Sequence, residues 1–478
     1  MTEALVETGW QGERRTANRK GRNTKGGRAV SCVFFALVCA FCSACLSSCT
    51  FFNANIEDLM HPPQLTQEQR EITAALEAAL GEGGYELKYP QNGGYSSTVL
   101  FQDMDGDGGD EAIVFFLAAV KGENIRVGIL DRAQEGWQLV CEAGGLGSTV
   151  EEVAFVRFFE GEPANLVVGW GNGTVTDTLA VYDYSPTAQL LDSLYTGSSA
   201  SMLKYQPAGT QKENLVLFTQ NVANQETTVR MLTGRGVASI RDTGGIALNG
   251  EVKSVEQAVT GRILADREAL FVDERRVSGQ LATQVFFIDG ERLTEGFAEA
   301  VSGLETEEIA SNPELLRWDE TYCEDVNDDG IVELPLEVAL PDAEESRTEG
   351  QIYLTKHLQY GQDGFRIVQT AVFNHQEGYK VILPDSWIGR VTVELRSSTR
   401  EWRFYRYEEG EDGTQPRQEE LLRIRVYAID EYQDKFDTGD YRKLASRGAN
   451  EFFAYIPPYE TGDMAITYEQ CAQMFRLL

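Results

Sequence analysis

The chain has 478 residues, of which 42% are hydrophobic and 10% aromatic, and its formal net charge is −33. This length exceeds the needs of one ordinary domain, so we expect two or more domains with sizeable apolar cores and exclude a disordered chain. The strong negative charge argues against nucleic acid as a partner, because phosphate backbones attract basic surfaces.

Residues 1–48 differ in charge from the rest of the chain, because they hold seven Lys or Arg and only three Asp or Glu. An uncharged apolar run at residues 29–46 follows the basic part, and small residues then lead to Cys49. This order resembles a bacterial lipobox, which implies that residues 1–48 are a signal peptide and that Cys49 carries a diacylglycerol. An uncleaved transmembrane anchor and a secretory signal cut elsewhere are the alternatives.

Residues 49–94 are interpreted as a tether followed by one helix. Thr66 and Gln69 have the spacing of a capping box, and apolar residues then recur on one helical face until Gly81. We expect this helix to pack against the β-rich region that follows.

The stretch FQDMDGDGGDEAIVFF contains regularly spaced acids. Numbered from the first aspartate, side-chain carboxylates fall at positions 1, 3, 5 and 9, namely Asp103, Asp105, Asp107 and Glu111. Calcium takes six to eight oxygen ligands, which alternate residues of a curled chain can supply. An EF-hand would need a glutamate at position 12 and a helix, but Val114 stands there within an apolar run typical of a strand. The stretch therefore predicts a calcium loop that leads into a strand, and the alternative is an Asx-rich turn held by its own side chains.

The same shortened spacing recurs at residues 325–333, with Asp325, Asn327, Asp329 and Glu333 at positions 1, 3, 5 and 9. Both loops resemble the FG-GAP/VCBS calcium loops of β-propellers. The resemblance implies that these side chains are ligands and that the backbone carbonyls of Gly109 and Ile331 join them. We therefore expect Ca²⁺ as a structural cofactor.

The region between the loops repeats apolar and alternating strands at intervals of about 50 residues, which is typical of propeller blades. The sequence predicts a mainly β fold, with a β-propeller-like domain of five or six blade-like units at residues 95–375. Residues 376–478 contain further strands, the motif LPDSW and a final helix opened by a Thr467–Gln470 capping box, and are predicted to form a smaller α+β domain. The first loop region and LPDSW together resemble uncharacterised clostridial surface lipoproteins.

No HExxH, G-x-S-x-G, Walker or Rossmann motif occurs in the sequence. Asp385 beside Trp387 could indicate a glycosidase acid next to a sugar platform, but a turn acid and a core tryptophan are the favoured interpretation. We therefore expect a non-enzymatic, lipid-anchored, calcium-binding protein on the outer face of the bacterial cytoplasmic membrane, acting as a binding, adhesion or scaffold module for a protein or glycan. The alternatives are an accessory lipoprotein for envelope assembly or solute binding, and a glycan-active enzyme that uses carboxylates.

Overall fold

The computed structural model describes residues 66–118, 124–133, 136–173, 177–221, 226–236, 238–296, 312–341, 351–361, 364–408, 417–429, 440–459 and 461–478. The predicted signal peptide and Cys49 lie outside the described residues. Residues 67–478 form one compact unit. Within the described ranges, no helix has both the length and the apolar character needed to cross a membrane.

The described residues are mainly β, as predicted, and form six antiparallel sheets that we number in chain order. The helix α1 (Gln67–Leu80) precedes the first sheet, which contains β1 (Tyr85–Lys88), β2 (Val99–Gln102), β3 (Glu111–Ala118), β4 (Arg126–Ala133) and β5 (Gly136–Gly144). The second sheet contains β6 (Thr149–Val156), β7 (Asn165–Gly171), β8 (Asp177–Ser185) and β9 (Leu190–Ser199). The third contains β10 (Ser201–Tyr205), β11 (Asn214–Asn221), β12 (Glu226–Arg235), β13 (Ser239–Asp242) and β14 (Ile246–Ala247).

The fourth sheet contains β15 (Val252–Leu264), β16 (Arg267–Arg276), β17 (Leu281–Asp289) and β18 (Arg292–Glu295). The fifth contains β19 (Leu334–Ala339), β20 (Tyr353–Gly361), β21 (Gly364–Asn374), β22 (Tyr379–Ile382) and the last strand of the chain, β28 (Phe475–Leu477). The sixth contains β23 (Val391–Arg396), β24 (Glu401–Tyr407), β25 (Arg417–Ala428), β26 (Arg442–Arg447) and β27 (Asn450–Tyr455). A short helix, α2 (Tyr468–Met474), lies between the sixth sheet and β28.

Each inner sheet buries its two faces in two different cores, because successive residues of a strand point to opposite sides. In β11, Leu215 and Leu217 enter the core shared with the second sheet, whereas Val216 and Phe218 enter the core shared with the fourth. Such strands read as continuous apolar runs, since neither face meets water. Five cores of this kind join consecutive sheets from the first to the sixth.

The two ends of this series are covered differently. On the first sheet, α1 packs Ile72 and Leu76 against the outer face, in a core that includes Phe116. On the sixth sheet, the face away from the fifth carries arginines and aromatic residues, and the Arg423 guanidinium lies 5.1 Å from the ring centroid of Tyr455 there. Among the described residues, no apolar core contains side chains of both the first and the sixth sheet.

The boundary that we predicted between residues 375 and 376 falls in the turn between β21 and β22, which are hydrogen-bonded neighbours in the fifth sheet. β28 pairs with β22 and is the outer strand of that sheet. The predicted capping box of α2 is confirmed, because the Thr467 hydroxyl accepts from the Gln470 amide at 3.2 Å and the Gln470 side chain accepts from the Thr467 amide at 2.8 Å. Residues 376–478 thus complete the fifth sheet and supply the sixth.

A buried polar network holds the segment that leads from the fourth sheet to the second acidic loop. Arg317 and Asp273 are both fully buried, and Arg317 Nη2 donates to Asp273 Oδ1 at 2.6 Å. Arg317 Nη1 donates to the Thr283 hydroxyl at 2.9 Å, and its Nε donates to the Thr321 carbonyl at 2.7 Å. The backbone amide of Cys323 donates to Asp273 Oδ2 at 2.8 Å, so both carboxylate oxygens have donors.

Replacing Arg317 with Met keeps most of the side-chain volume but leaves Asp273 buried without its charged partner. We expect Arg317→Met to lower the free energy of unfolding by about 3–5 kcal/mol in a urea titration. The control is Arg396→Met, because the Arg396 side chain is 47% exposed and pairs with Glu394 at 3.4 Å. That change should cost less than about 1 kcal/mol, and equal losses in the two variants would contradict the assigned role of Arg317.

Candidate metal sites in two acidic loops

The first acidic loop joins β2 to β3, which pair as a hairpin. Carboxylate oxygens of Asp103, Asp105 and Glu111 all lie within 4.8 Å of one another. The chain curls around this cluster, since the amide of Gly106 donates to Asp103 Oδ1 at 2.6 Å and the amide of Met104 donates to Glu111 Oε2 at 2.6 Å. Glu111 is the first residue of the buried strand β3 and is only 1% exposed.

The second acidic loop precedes β19 at the start of the fifth sheet. Carboxylate oxygens of Asp325, Asp329 and Glu333 lie within 4.8 Å of one another. The amide of Gly330 donates to Asp325 Oδ2 at 2.6 Å, and the amide of Val326 donates to Glu333 Oε2 at 2.8 Å. Glu333 is fully buried, so this cluster also closes on a carboxylate removed from water.

The two loops share one backbone conformation. Position 4 is left-handed in both, with φ of 81° at Gly106 and 59° at Asp328. Position 6 is also left-handed, with φ of 90° at Gly108 and 80° at Gly330, a conformation that favours glycine. In both loops the amide at position 6 donates to the first residue, and the amide at position 2 donates to the closing glutamate. The two loops therefore share one type of turn.

The remaining predicted site residues lie at the turn into each strand. Asp107 Oδ1 accepts from the Gly109 amide at 2.7 Å, and Asp329 Oδ1 accepts from the Ile331 amide at 2.9 Å. Asn327 Oδ1 accepts from the Asp329 amide at 3.0 Å. The structure thus brings together the carboxylates at positions 1, 3 and 9 in the first loop, and at positions 1, 5 and 9 in the second.

The surroundings of the two closing glutamates destabilise their ionised forms. Burial raises the pKa of Glu111 to about 7, and the negative charges of Asp105 and Asp103 add to the shift. Burial likewise raises the pKa of Glu333 to about 6, with a contribution from the neighbouring aspartates. A cation between the oxygens would favour the ionised form of each group, because an opposite charge at short distance offsets the desolvation.

The donor sets suit a hard divalent cation. Every side chain of the two clusters offers oxygen, which is the ligand atom that Ca²⁺ and Mg²⁺ prefer. Soft metals favour thiolate or imidazole ligands, and neither cluster contains one. The residues present therefore fit the calcium site that the sequence predicted.

Two residues from other parts of the chain contact the second loop, and the sequence analysis did not predict them. Gln359 Nε2 donates to Asp329 Oδ2 at 2.7 Å and to Glu333 Oε1 at 2.8 Å. Arg262 Nε donates to the Gly330 carbonyl at 3.0 Å. Only the pairing register of β19 with β20 could have indicated the contact of Gln359, because that register places Gln359 beside the loop.

A scan of protein families finds no matching family model, and a search of curated proteins finds no significant match to the chain. The resemblance to FG-GAP/VCBS loops therefore depends on the two loops themselves.

The two loops offer a matched test of the left-handed glycine at position 6. A Cβ on Gly330 would collide with the Arg262 guanidinium, whereas a Cβ on Gly108 would meet no atom within 4 Å. We expect Gly108→Ala to cost about 1–2 kcal/mol of stability for the backbone strain alone. Gly330→Ala should cost about 0.5–1 kcal/mol more, because it also displaces the exposed hydrogen bonds of Arg262.

Chemical denaturation of both variants in chelator measures the difference. In an Arg262→Ala background the extra cost at Gly330 should disappear. An unchanged difference in that background would mean that Arg262 does not cause it.

Proposed function

We propose that this chain is an extracytoplasmic, lipid-anchored, calcium-binding protein that serves as a non-enzymatic binding or scaffold module. The observation that carries the proposal is the occurrence of one loop in two different sheets, with the same left-handed positions and the same buried closing glutamate. A chance acidic turn has no reason to occur twice with the same amides bonded to its first and ninth residues.

Calcium in these loops would act on the fold. Each loop leads directly into a buried strand, so an ion that neutralises its carboxylates would hold the start of that strand in position. Extracellular calcium modules bind with dissociation constants of about 10⁻⁴–10⁻³ M, and we assign the loops to this range. Such sites would be filled outside the cell, where calcium is abundant, which agrees with an exported protein.

The six sheets are, in this proposal, blade-like units of a propeller-like array. Support comes from the five apolar cores, each of which joins two consecutive sheets. The series begins under α1 and continues through residues 376–478. The closure of a ring is not part of the proposal, because α1 covers the face of the first sheet that a closing blade would need.

A cleft of about 360 Å³ is our candidate for the binding surface, because its lining contains two stacked rings. Its lining includes Tyr322, Phe373, His375 and Lys380, and the rings of Phe373 and His375 stack at 5.5 Å with an interplanar angle of 11°. This volume lies in the range of small-molecule and sugar sites. We propose that the partner is a glycan, or a protein that places a side-chain group of the size of the cleft in it.

The cleft favours binding over hydrolysis. Its two acidic residues are engaged in ion pairs, Glu320 with Arg275 at 3.1 Å and Glu324 with Lys380 at 3.1 Å. Trp387, which could have been a sugar platform beside Asp385, is fully buried and donates its indole N–H to a backbone carbonyl at 2.9 Å. A glycan-active enzyme is therefore the weaker alternative, and an accessory role in envelope assembly or solute binding remains compatible with the cleft.

The calcium proposal is tested by thermal and urea unfolding of residues 50–478 in 10 mM calcium and in chelator. With the affinity given above, each site should add about 1.4–2.7 kcal/mol of stability in calcium. Glu111→Gln combined with Glu333→Gln should abolish the calcium effect, because both clusters lose their closing carboxylate. The control Asp289→Asn removes an exposed carboxylate outside the loops and should leave the effect intact. A wild-type protein equally stable in calcium and chelator would refute calcium binding.

The anchor proposal is tested with Cys49→Ala in the full-length chain. The variant lacks the thiol that would carry the diacylglycerol, so it should no longer incorporate a radiolabelled fatty acid. The wild-type chain should incorporate the label and lose residues 1–48, whereas the variant should do neither, because the lipobox cleavage depends on Cys49. A wild-type chain that takes up no fatty acid and keeps residues 1–48 would favour an uncleaved transmembrane anchor instead.

A further inference from the structure

The closing glutamate of the first loop faces an aspartate on the neighbouring strand. In the pairing of β3 with β4, Ala112 lies opposite Leu130. The ladder ends at this pair, and its register continued by one residue places Asp131 of β4 opposite Glu111.

The closing glutamate of the second loop faces an amide at the same position. In the pairing of β19 with β20, Leu334 lies opposite Leu358. One residue further along, Glu333 lies opposite Gln359, and the two side chains are hydrogen-bonded at 2.8 Å. The two loops thus have the same internal pattern but differ in the residue that faces the closing glutamate across the ladder.

The orientation of the Gln359 amide is set by an arginine. Arg366 Nε donates to Gln359 Oε1 at 2.8 Å, and a guanidinium can only donate. The amide NH₂ must therefore face the loop, where it donates to both Asp329 and Glu333. Gln359 is only 2% exposed, so this amide is a fixed electropositive group between two oxygens that a cation would need.

The other charged residues near the two loops also make the surroundings of the first loop more negative than those of the second. Arg132, which follows Asp131, is paired with Glu68 on α1. In the second loop, Arg366 Nη2 lies 3.9 Å from Asp329 Oδ2, and Arg262 donates to a loop carbonyl. The first loop therefore keeps the stronger negative potential.

We propose that the residue facing the closing glutamate sets the calcium affinity of each loop. Asp131 is an additional acidic residue of the first site, and Gln359 is a built-in competitor for calcium in the second. The inference rests on the proposed calcium function and deepens it. Calcium affinity rises with the number of charged ligands, and an ion entering the second loop competes with two charge-assisted hydrogen bonds for the carboxylates of Asp329 and Glu333. The first loop then binds calcium at least about tenfold more tightly than the second.

The test exchanges the two residues in the full-length chain, purified in detergent, and measures calcium binding by isothermal titration calorimetry. The wild-type protein should show two classes of site, which Glu111→Gln and Glu333→Gln assign by removing the tighter and the weaker class respectively. Asp131→Gln should weaken the tighter class by about tenfold or more and leave the weaker class unchanged. Gln359→Asp should tighten the weaker class by a similar factor.

A second variant tests the same inference without changing the buried Gln359, whose replacement could disturb the fold. The Arg366 side chain is 69% exposed, so Arg366→Met can be made with little risk to the core. It frees the Gln359 amide to rotate and should also tighten the weaker class. Two sites whose affinities do not respond to Asp131→Gln, Gln359→Asp or Arg366→Met would overturn this inference while leaving calcium binding intact. A wild-type protein with no calcium isotherm would overturn the proposed function and this inference together.

Discussion

The structure depends on the burial of sheet faces against the next sheet along the chain. A strand such as β11 is apolar on both faces, so both faces must be buried away from water. Each inner sheet therefore requires a neighbour on each side, and the chain supplies these neighbours in order. Among the described residues no sheet precedes the first, and α1 covers its face with Ile72 and Leu76. No described sheet follows the sixth, whose face away from the fifth carries arginines packed on tyrosine rings.

The acidic loops are tied to this packing. At Gly106 of the first loop, an added Cβ would come within 3.1 Å of Pro163, which lies between two strands of the second sheet. In the second loop, Arg262 of the fourth sheet holds the carbonyl of Gly330 just before the fifth sheet begins. Each loop therefore contacts the sheet next to its own. An ion that stiffens such a loop would stiffen the junction between two sheets as well as the strand that follows.

Local features of the fold could be predicted from the sequence, and the long-range pairings could not. The strand after the first loop, the end of α1 before Gly81 and the Thr467–Gln470 cap each depend on neighbouring residues, and the structure contains all three. The return of β28 to β22 joins strands separated by the whole sixth sheet, and no local pattern indicates it. The same applies to the burial of Arg317 against Asp273.

The candidate site likewise combines local features that the sequence predicted with long-range contacts that it did not. The spacing of acids within each loop brought the first and ninth positions together, because a tight turn between two strand ends leaves few other arrangements. The middle carboxylate of the cluster is Asp105 at position 3 in the first loop and Asp329 at position 5 in the second, where position 3 is Asn327. The contact of Gln359 with Asp329 comes from another strand, and only the folded sheet reveals it.

The position of β28 also determines the order in which the molecule can be completed. The edge of β22 stays unpaired until residues 475–477 have been added, although the sixth sheet is encoded before them. Without these residues the fifth sheet exposes backbone donors and acceptors that any extended peptide could pair with. A chain truncated before Phe475 would therefore keep an open strand edge, at which other extended chains could add as a further strand.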